Sequence, residues 1–145
     1  MTDRLEIQEL LRKLYSARMR SDLPAIEQLF CANAQFRILG ASQRSPVSIL
    51  ADGTVTIRET LALLLRISKL QAFEQISMII DGDSAAVQWR ATVHSRVTPG
   101  PISTEFVDII KIPDRQISSY TELFAPQAFA RASTQPRMFA VMKPQ

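Results

Sequence analysis

From Asp81 to Phe124 apolar side chains recur at every second residue, and this constrains the chain more than any other feature. Period-two alternation over such a length requires extended strands whose two faces meet different surroundings. Turn-forming clusters at Asp81–Gly82–Asp83, Thr98–Pro99–Gly100–Pro101 and Pro113–Asp114–Arg115 divide the run. Strands are therefore expected over about 73–81, 84–97, 103–113 and 116–124, joined as an antiparallel meander. Two carboxylates, Asp108 and Glu122, interrupt the apolar face. A charge there is costly unless something pairs with it or uses it.

The rest of the chain is helical in period. Leu5, Ile7, Leu10, Leu11 and Leu14 follow helical spacing, and Asp3 with Glu6 three residues on supplies an N-terminal cap, so a first helix is expected over about 3–20. Ser21–Asp22 breaks it, and Asp22 caps a short helix that tolerates Pro24 in its first turn. Residues 34–40 alternate weakly, as a short strand does, and the Ser, Pro and Gly content of 41–53 reads as a loop. Thr56 and Glu59 form a capping box that opens a third helix running to about Leu70. The tail from Ala125, with Pro126, Pro136 and Pro144, has room for one short helix near 126–132. Helices followed by a meander make an α+β domain, with a curved antiparallel sheet wrapped around N-terminal helices and an internal pocket between them.

Composition narrows the function classes. The 145 residues are 46% hydrophobic and 21% charged, which suits one domain over 1–145, with a core at about 3–124 and a tail at 125–145. The net charge of +3 comes from scattered arginines and lysines, without the concentrated stripe that nucleic-acid binding needs. The longest uninterrupted apolar run, Leu61–Leu65, is too short to cross a bilayer, and charges interrupt the N-terminal apolar residues, unlike a signal peptide. One cysteine, Cys31, excludes an internal disulfide and a multi-cysteine metal site. The expected protein is cytoplasmic, with no metal, no cofactor, no nucleic acid and no membrane partner.

The order of these features resembles the SnoaL-like branch of the nuclear transport factor 2-like superfamily. The matching pieces are the first helix with Ser21–Asp22, the short helix ending at 29–34, Gly53 ahead of Thr56–Ile57–Arg58, residues 81–89, and the final pair at 108–112 and 116–124. The resemblance spans about residues 5–124. It implies a cone-shaped α+β fold, usually a homodimer, with a pocket for a small and often apolar or polycyclic molecule. Members include ketosteroid isomerase, polyketide cyclases, scytalone dehydratase and limonene epoxide hydrolase, so the fold alone leaves function open.

Strand parity and the resemblance point the same side chains inward: Val87, Trp89 and Ala91, then Thr104, Phe106, Asp108 and Ile110, then Tyr120, Glu122 and Phe124. Asp108 falls where ketosteroid isomerase keeps a protonated acid that donates to an oxyanion. Burial would raise its pKa. The other reading pairs Asp108 with Arg18 across the cavity or with backbone. Glu122 is the candidate base, unless a strand twist turns it to the rim. Tyr120 and Asp108 are the candidate oxyanion stabilisers, and Trp89 and Phe106 would position the ligand.

The remaining features weigh against the named activities. Leu14 falls where the isomerase has its tyrosine, with Tyr15 about 100° round the helix. Arg18, on the spacing of Leu11 and Leu14, either enters the cavity mouth or reaches solvent. The isomerase base would fall at or beside Ile38 and the cyclase base near Ala125, where no acid stands. Scytalone dehydratase needs two histidines, and this chain has only His94, expected on the outer face. Three readings follow. One is an isomerase, lyase or cyclase acting on a small apolar carbonyl or polyketide-like molecule. The second is a non-catalytic small-molecule pocket, and the third a dimerisation module whose cone is filled by Trp89.

Overall fold

A computed structural model describes residues 2–40, 47–96 and 98–124, with backbone alone at Val47 and Ser48. The expected helix near 126–132 and the position near Ala125 lie outside the described residues. The described residues form the helices α1 (Arg4–Met19), α2 (Leu23–Glu27) and α3 (Gly53–Ile67). The strands are β1 (Phe30–Gly40), β2 (Val47–Asp52), β3 (Ser68–Asp81), β4 (Ser84–Ser95), β5 (Ile102–Lys111) and β6 (Ile117–Phe124). They build one curved sheet in the order β2-β1-β6-β5-β4-β3.

Local chemistry explains the helix starts. The Asp3 carboxylate accepts from the Glu6 N–H at 2.9 Å, while Glu6 turns outward to pair with Arg115 at 3.1 Å, so only half of the capping box forms. Ser21 takes a left-handed φ of +54° that ends α1, and Asp22 then accepts from the Ala25 N–H at 3.2 Å to start α2. The capping box expected at Thr56 is not used. Helix α3 begins three residues earlier at Gly53, whose φ of +81° makes the turn out of β2 at no steric cost. Thr56 thus sits inside the helix, and its carbonyl accepts from the Thr60 hydroxyl at 2.8 Å.

The sheet corrects three other expectations. Residues 47–52, read as loop, form edge strand β2, which pairs antiparallel with a β1 longer than the expected 34–40. Strand β3 begins at Ser68, where the helix was expected to continue to Leu70, because α3 passes into it without a loop. The pairing of β1 with β6 is parallel, while the other pairings are antiparallel. At the turn between β3 and β4, Asp83 accepts from the Thr2 N–H at 3.1 Å.

The core lies between the inner face of this sheet and the helices, with Ile7, Leu11 and Leu14 of α1 fully buried against it. Alternation in β5 is complete from Ile102 to Lys111, buried and exposed residues taking turns. Antiparallel register sets Trp89 beside Phe106 and Val87 beside Asp108, and then Asp108 beside Glu122. One cross-strand row therefore carries both carboxyls, and it lies under α1.

Candidate functional site

Asp108 is fully buried, with one oxygen crowded and the other bare. Its Oδ2 accepts from the Tyr15 hydroxyl at 2.6 Å, the Tyr120 hydroxyl at 2.7 Å and the Trp89 indole N–H at 2.8 Å. Its Oδ1 is buried and has no partner among the described residues. Two strands and one helix thus converge on a single oxygen. Glu122, only 4% exposed, lies one strand over. The Arg18 guanidinium grips it with both terminal nitrogens, the second at 3.2 Å.

Tyr120 joins the two carboxyls. It accepts from Arg18 Nη1 at 2.7 Å, and its single proton lies between Asp108 Oδ2 and Glu122 Oε2, the latter at 3.2 Å. Arg18 reaches Asp108 only at 3.8 Å. Its guanidinium carbon lies 5.0 Å from the Trp89 ring centre, so the indole face also holds the cation. Trp89 in turn stacks on Phe106 at 4.1 Å and fills the cone above the pair.

The electrostatics separate the two acids. Burial pushes the Asp108 carboxyl well above the usual carboxylate range, the Glu122 charge pushes it further, and Arg18 and the Tyr15 hydrogen bond oppose them. Burial pushes Glu122 up as well, but the charge and hydrogen bonds of Arg18 outweigh it and leave Glu122 below its ordinary value. Asp108 is thus the carboxyl pushed toward its neutral form, and Glu122 the one held toward its charged form by Arg18. Burial raises both tyrosine hydroxyls, so they stay protonated as donors.

A cavity of about 60 Å³ opens beside this cluster. Arg18 and Glu122 give it a polar end, and Ser68 adds a hydroxyl already donated to the Leu64 carbonyl at 3.0 Å. Ile38, Leu64, Leu65, Leu70, Val93, Phe106 and Phe124 form the rest of the wall. Of the residues singled out from sequence, Arg18, Phe106, Glu122 and Phe124 reach the cavity. Leu14, Val87, Trp89, Ala91 and Ile110 point inward but are packed into the core. Asp108 and Tyr120 stand behind Glu122 and Arg18 and off the wall. They can therefore act on a ligand only through those two residues.

Tyr15 is the residue that sequence reasoning passed over. A turn of about 100° from Leu14 leaves it on the face of Arg18, three residues on, and its long ring carries the hydroxyl to Asp108. Phe73 stacks on it at 5.0 Å. Ile38, where the isomerase base was sought, pairs in register with Glu122. The carboxylate therefore comes from the neighbouring strand. His94 is exposed on the outer face. Among the described residues no group of three or more His, Cys, Asp or Glu could hold a metal, and no helix is long and apolar enough to cross a membrane.

Comparison with known proteins agrees with this architecture. The SnoaL-like domain family matches residues 11–120. The chain belongs to that family. No curated protein matches it by sequence. Among solved structures, this SnoaL-like chain is similar to a Bacillus subtilis protein proposed to be an isomerase, with a TM-score of 0.78 at 20% identity over 91% of this chain and 95% of that one. An NTF2-like protein of Burkholderia xenovorans LB400 gives 0.74 at 16% identity, covering 92% and 100%. An LEH-like epoxide hydrolase of M. tuberculosis gives 0.67 at 12%, covering 94% and 96%. Such identities establish the shared NTF2-like α+β fold and leave the chemistry to the site.

Proposed function

We propose that this SnoaL-like chain is an acid–base enzyme of the isomerase, lyase or cyclase type, acting on a small neutral carbonyl compound. One observation carries the reading: two carboxyls bridged by one tyrosine hydroxyl lie beside a cavity, one pushed up by burial and the other held down by Arg18. Splitting a carboxyl pair in this way is how enzymes obtain an acid and a base at one pH. Sequence suggested Asp108 or Tyr120 as the oxyanion partner, but Arg18 stands on the wall and takes that role. A ligand oxygen accepting from Arg18 draws the guanidinium partly off Glu122, which raises the proton affinity of Glu122. Glu122 then takes a proton from the carbon beside the carbonyl, and the enolate charge rests on Arg18. Where the substrate carries a β,γ double bond, return of that proton to the γ carbon moves the double bond into conjugation and completes an isomerisation, with Tyr120 and Asp108 holding the pair in place. The similar structures include a protein proposed to be an isomerase and an LEH-like epoxide hydrolase, which supports an enzyme reading.

A second reading, a non-catalytic binding or dimerisation module, is favoured by Trp89 filling the cone and by Arg18 clamping Glu122. Deuterium uptake at the carbons flanking the carbonyl of butanone separates the two. Protein-dependent uptake, lost in Glu122→Gln, supports the enzyme. Saturable binding without uptake supports the module.

Two copies are proposed to pair through the outer sheet face. Ile79, Ala86 and Ile109 lie in one cross-strand row. Ile79 is 64% and Ile109 44% exposed, an apolar patch that pairing would bury. Cys31, free and half-buried, suits a reducing compartment such as the cytoplasm.

A further inference from the structure

We infer that the cavity selects the smallest neutral aliphatic carbonyl compounds over both carboxylates and ring systems, an inference that rests on the acid–base reading of the same site. Size sets the first limit. A cavity of about 60 Å³ is well under the roughly 150 Å³ that houses benzene in an engineered protein core. It is also far below the 300–1,000 Å³, approximately, of pockets for drug-sized ligands. The leucines at the end of α3, Leu64 and Leu65, stand on the wall and narrow it against a polycyclic body.

Charge sets the second limit. The donor facing the cavity is Arg18, yet its charge is matched by Glu122 on the same wall. An anionic ligand at Arg18 would sit against the Glu122 carboxylate, and like charges at close range in a poorly hydrated site repel strongly. A carbonyl oxygen meets the same N–H without that penalty. Ser68 has already given its proton to the Leu64 carbonyl and offers no alternative donor. The apolar wall of Leu64, Leu65, Leu70, Val93 and Phe124 suits an alkyl chain and no further polar group.

The test is a titration of the protein carrying labelled leucine and valine methyls, followed by NMR, with butanone, butyrate and cyclohexanone as probes. Butanone is expected to shift the Leu64, Leu65 and Val93 methyls saturably, with affinity in the roughly millimolar range that few heavy atoms allow. Butyrate and cyclohexanone should leave them unmoved. Leu65→Ala should admit cyclohexanone. Glu122→Gln, which frees the charge of Arg18, should bind butyrate at least tenfold more tightly than the parent, about 1.4 kcal/mol. If Glu122→Gln does not fold, the parent and Leu65→Ala titrations decide. Equal binding of butyrate and butanone by the parent, cyclohexanone binding unaffected by Leu65→Ala, or no methyl shift with butanone would each overturn the inference. Butanone binding without deuterium uptake would retire the acid–base reading and leave the size and charge selection standing.

Discussion

Among the described residues Asp108 receives three donors on Oδ2 and none on Oδ1, and this imbalance shapes its behaviour with pH. Its proton is held more tightly folded than unfolded, so its contribution to stability is complete below the ordinary value of 3.8 and is lost as pH rises through the folded value. Glu122 runs the other way: its contribution is complete above the ordinary 4.5 and is lost as pH falls through the folded value. Asp108→Asn, close in shape to the neutral acid, should therefore cost about 1 kcal/mol or less at neutral pH and remove the fall in stability that runs from the ordinary 3.8 up to the folded value. Urea midpoints across a pH series check this, and an unchanged slope over that range would contradict it. Glu122→Gln strands the Arg18 cation and should cost about 3–5 kcal/mol, readable in the same midpoints. The inward parity of both acids was legible from alternation alone. The role of Tyr15 was not, because spacing along a helix says nothing of how far a long side chain reaches.

Strand β3 shows how an element serves the site. Its register slips between Gln71 and Glu74, and Ala72 there takes a φ of +56°, a left-handed conformation costly for an alanine. The bulge brings Phe73 against both Tyr15, at 5.0 Å, and Trp89, at 5.6 Å, the rings that donate to Asp108. Phe73→Ala should cost about 2 kcal/mol and change the fluorescence of Trp89, the single tryptophan of the chain. Fluorescence identical to the parent would remove Phe73 from the support of the site. Gly53→Ala tests the other special turn. A Cβ there would lie 4.0 Å from the nearest atom, so the expected loss of about 1 kcal/mol comes from backbone conformation alone. Neither β2 nor the early start of α3 could be read locally. Residues 47–52 become a strand by pairing with β1, and the Thr56–Glu59 signal is overridden by a glycine turn three residues before it.

For the whole molecule, the helices, the meander and the two-faced sheet follow from periodicities of 3.6 and 2, which is why the α+β architecture could be read from sequence. The parallel contact of β1 with β6 could not, because it joins strands from opposite ends of the chain. That contact sets Ile38 beside Glu122 and closes the cavity wall. On the far side of the sheet, Ile109→Glu should convert the proposed dimer to a monomer in sedimentation velocity with the pocket intact. A parent that already sediments as a monomer would remove the dimer proposal.

Inside the sheet, carbon NMR of the two side-chain carboxyls reads the unequal protonation of Asp108 and Glu122 directly. Asp108 is expected to stay neutral at neutral pH and to ionise only well above the ordinary carboxylate range, and Glu122 to titrate below its ordinary value. Two carboxylates that both titrate near their ordinary values, both charged at neutral pH, would contradict this.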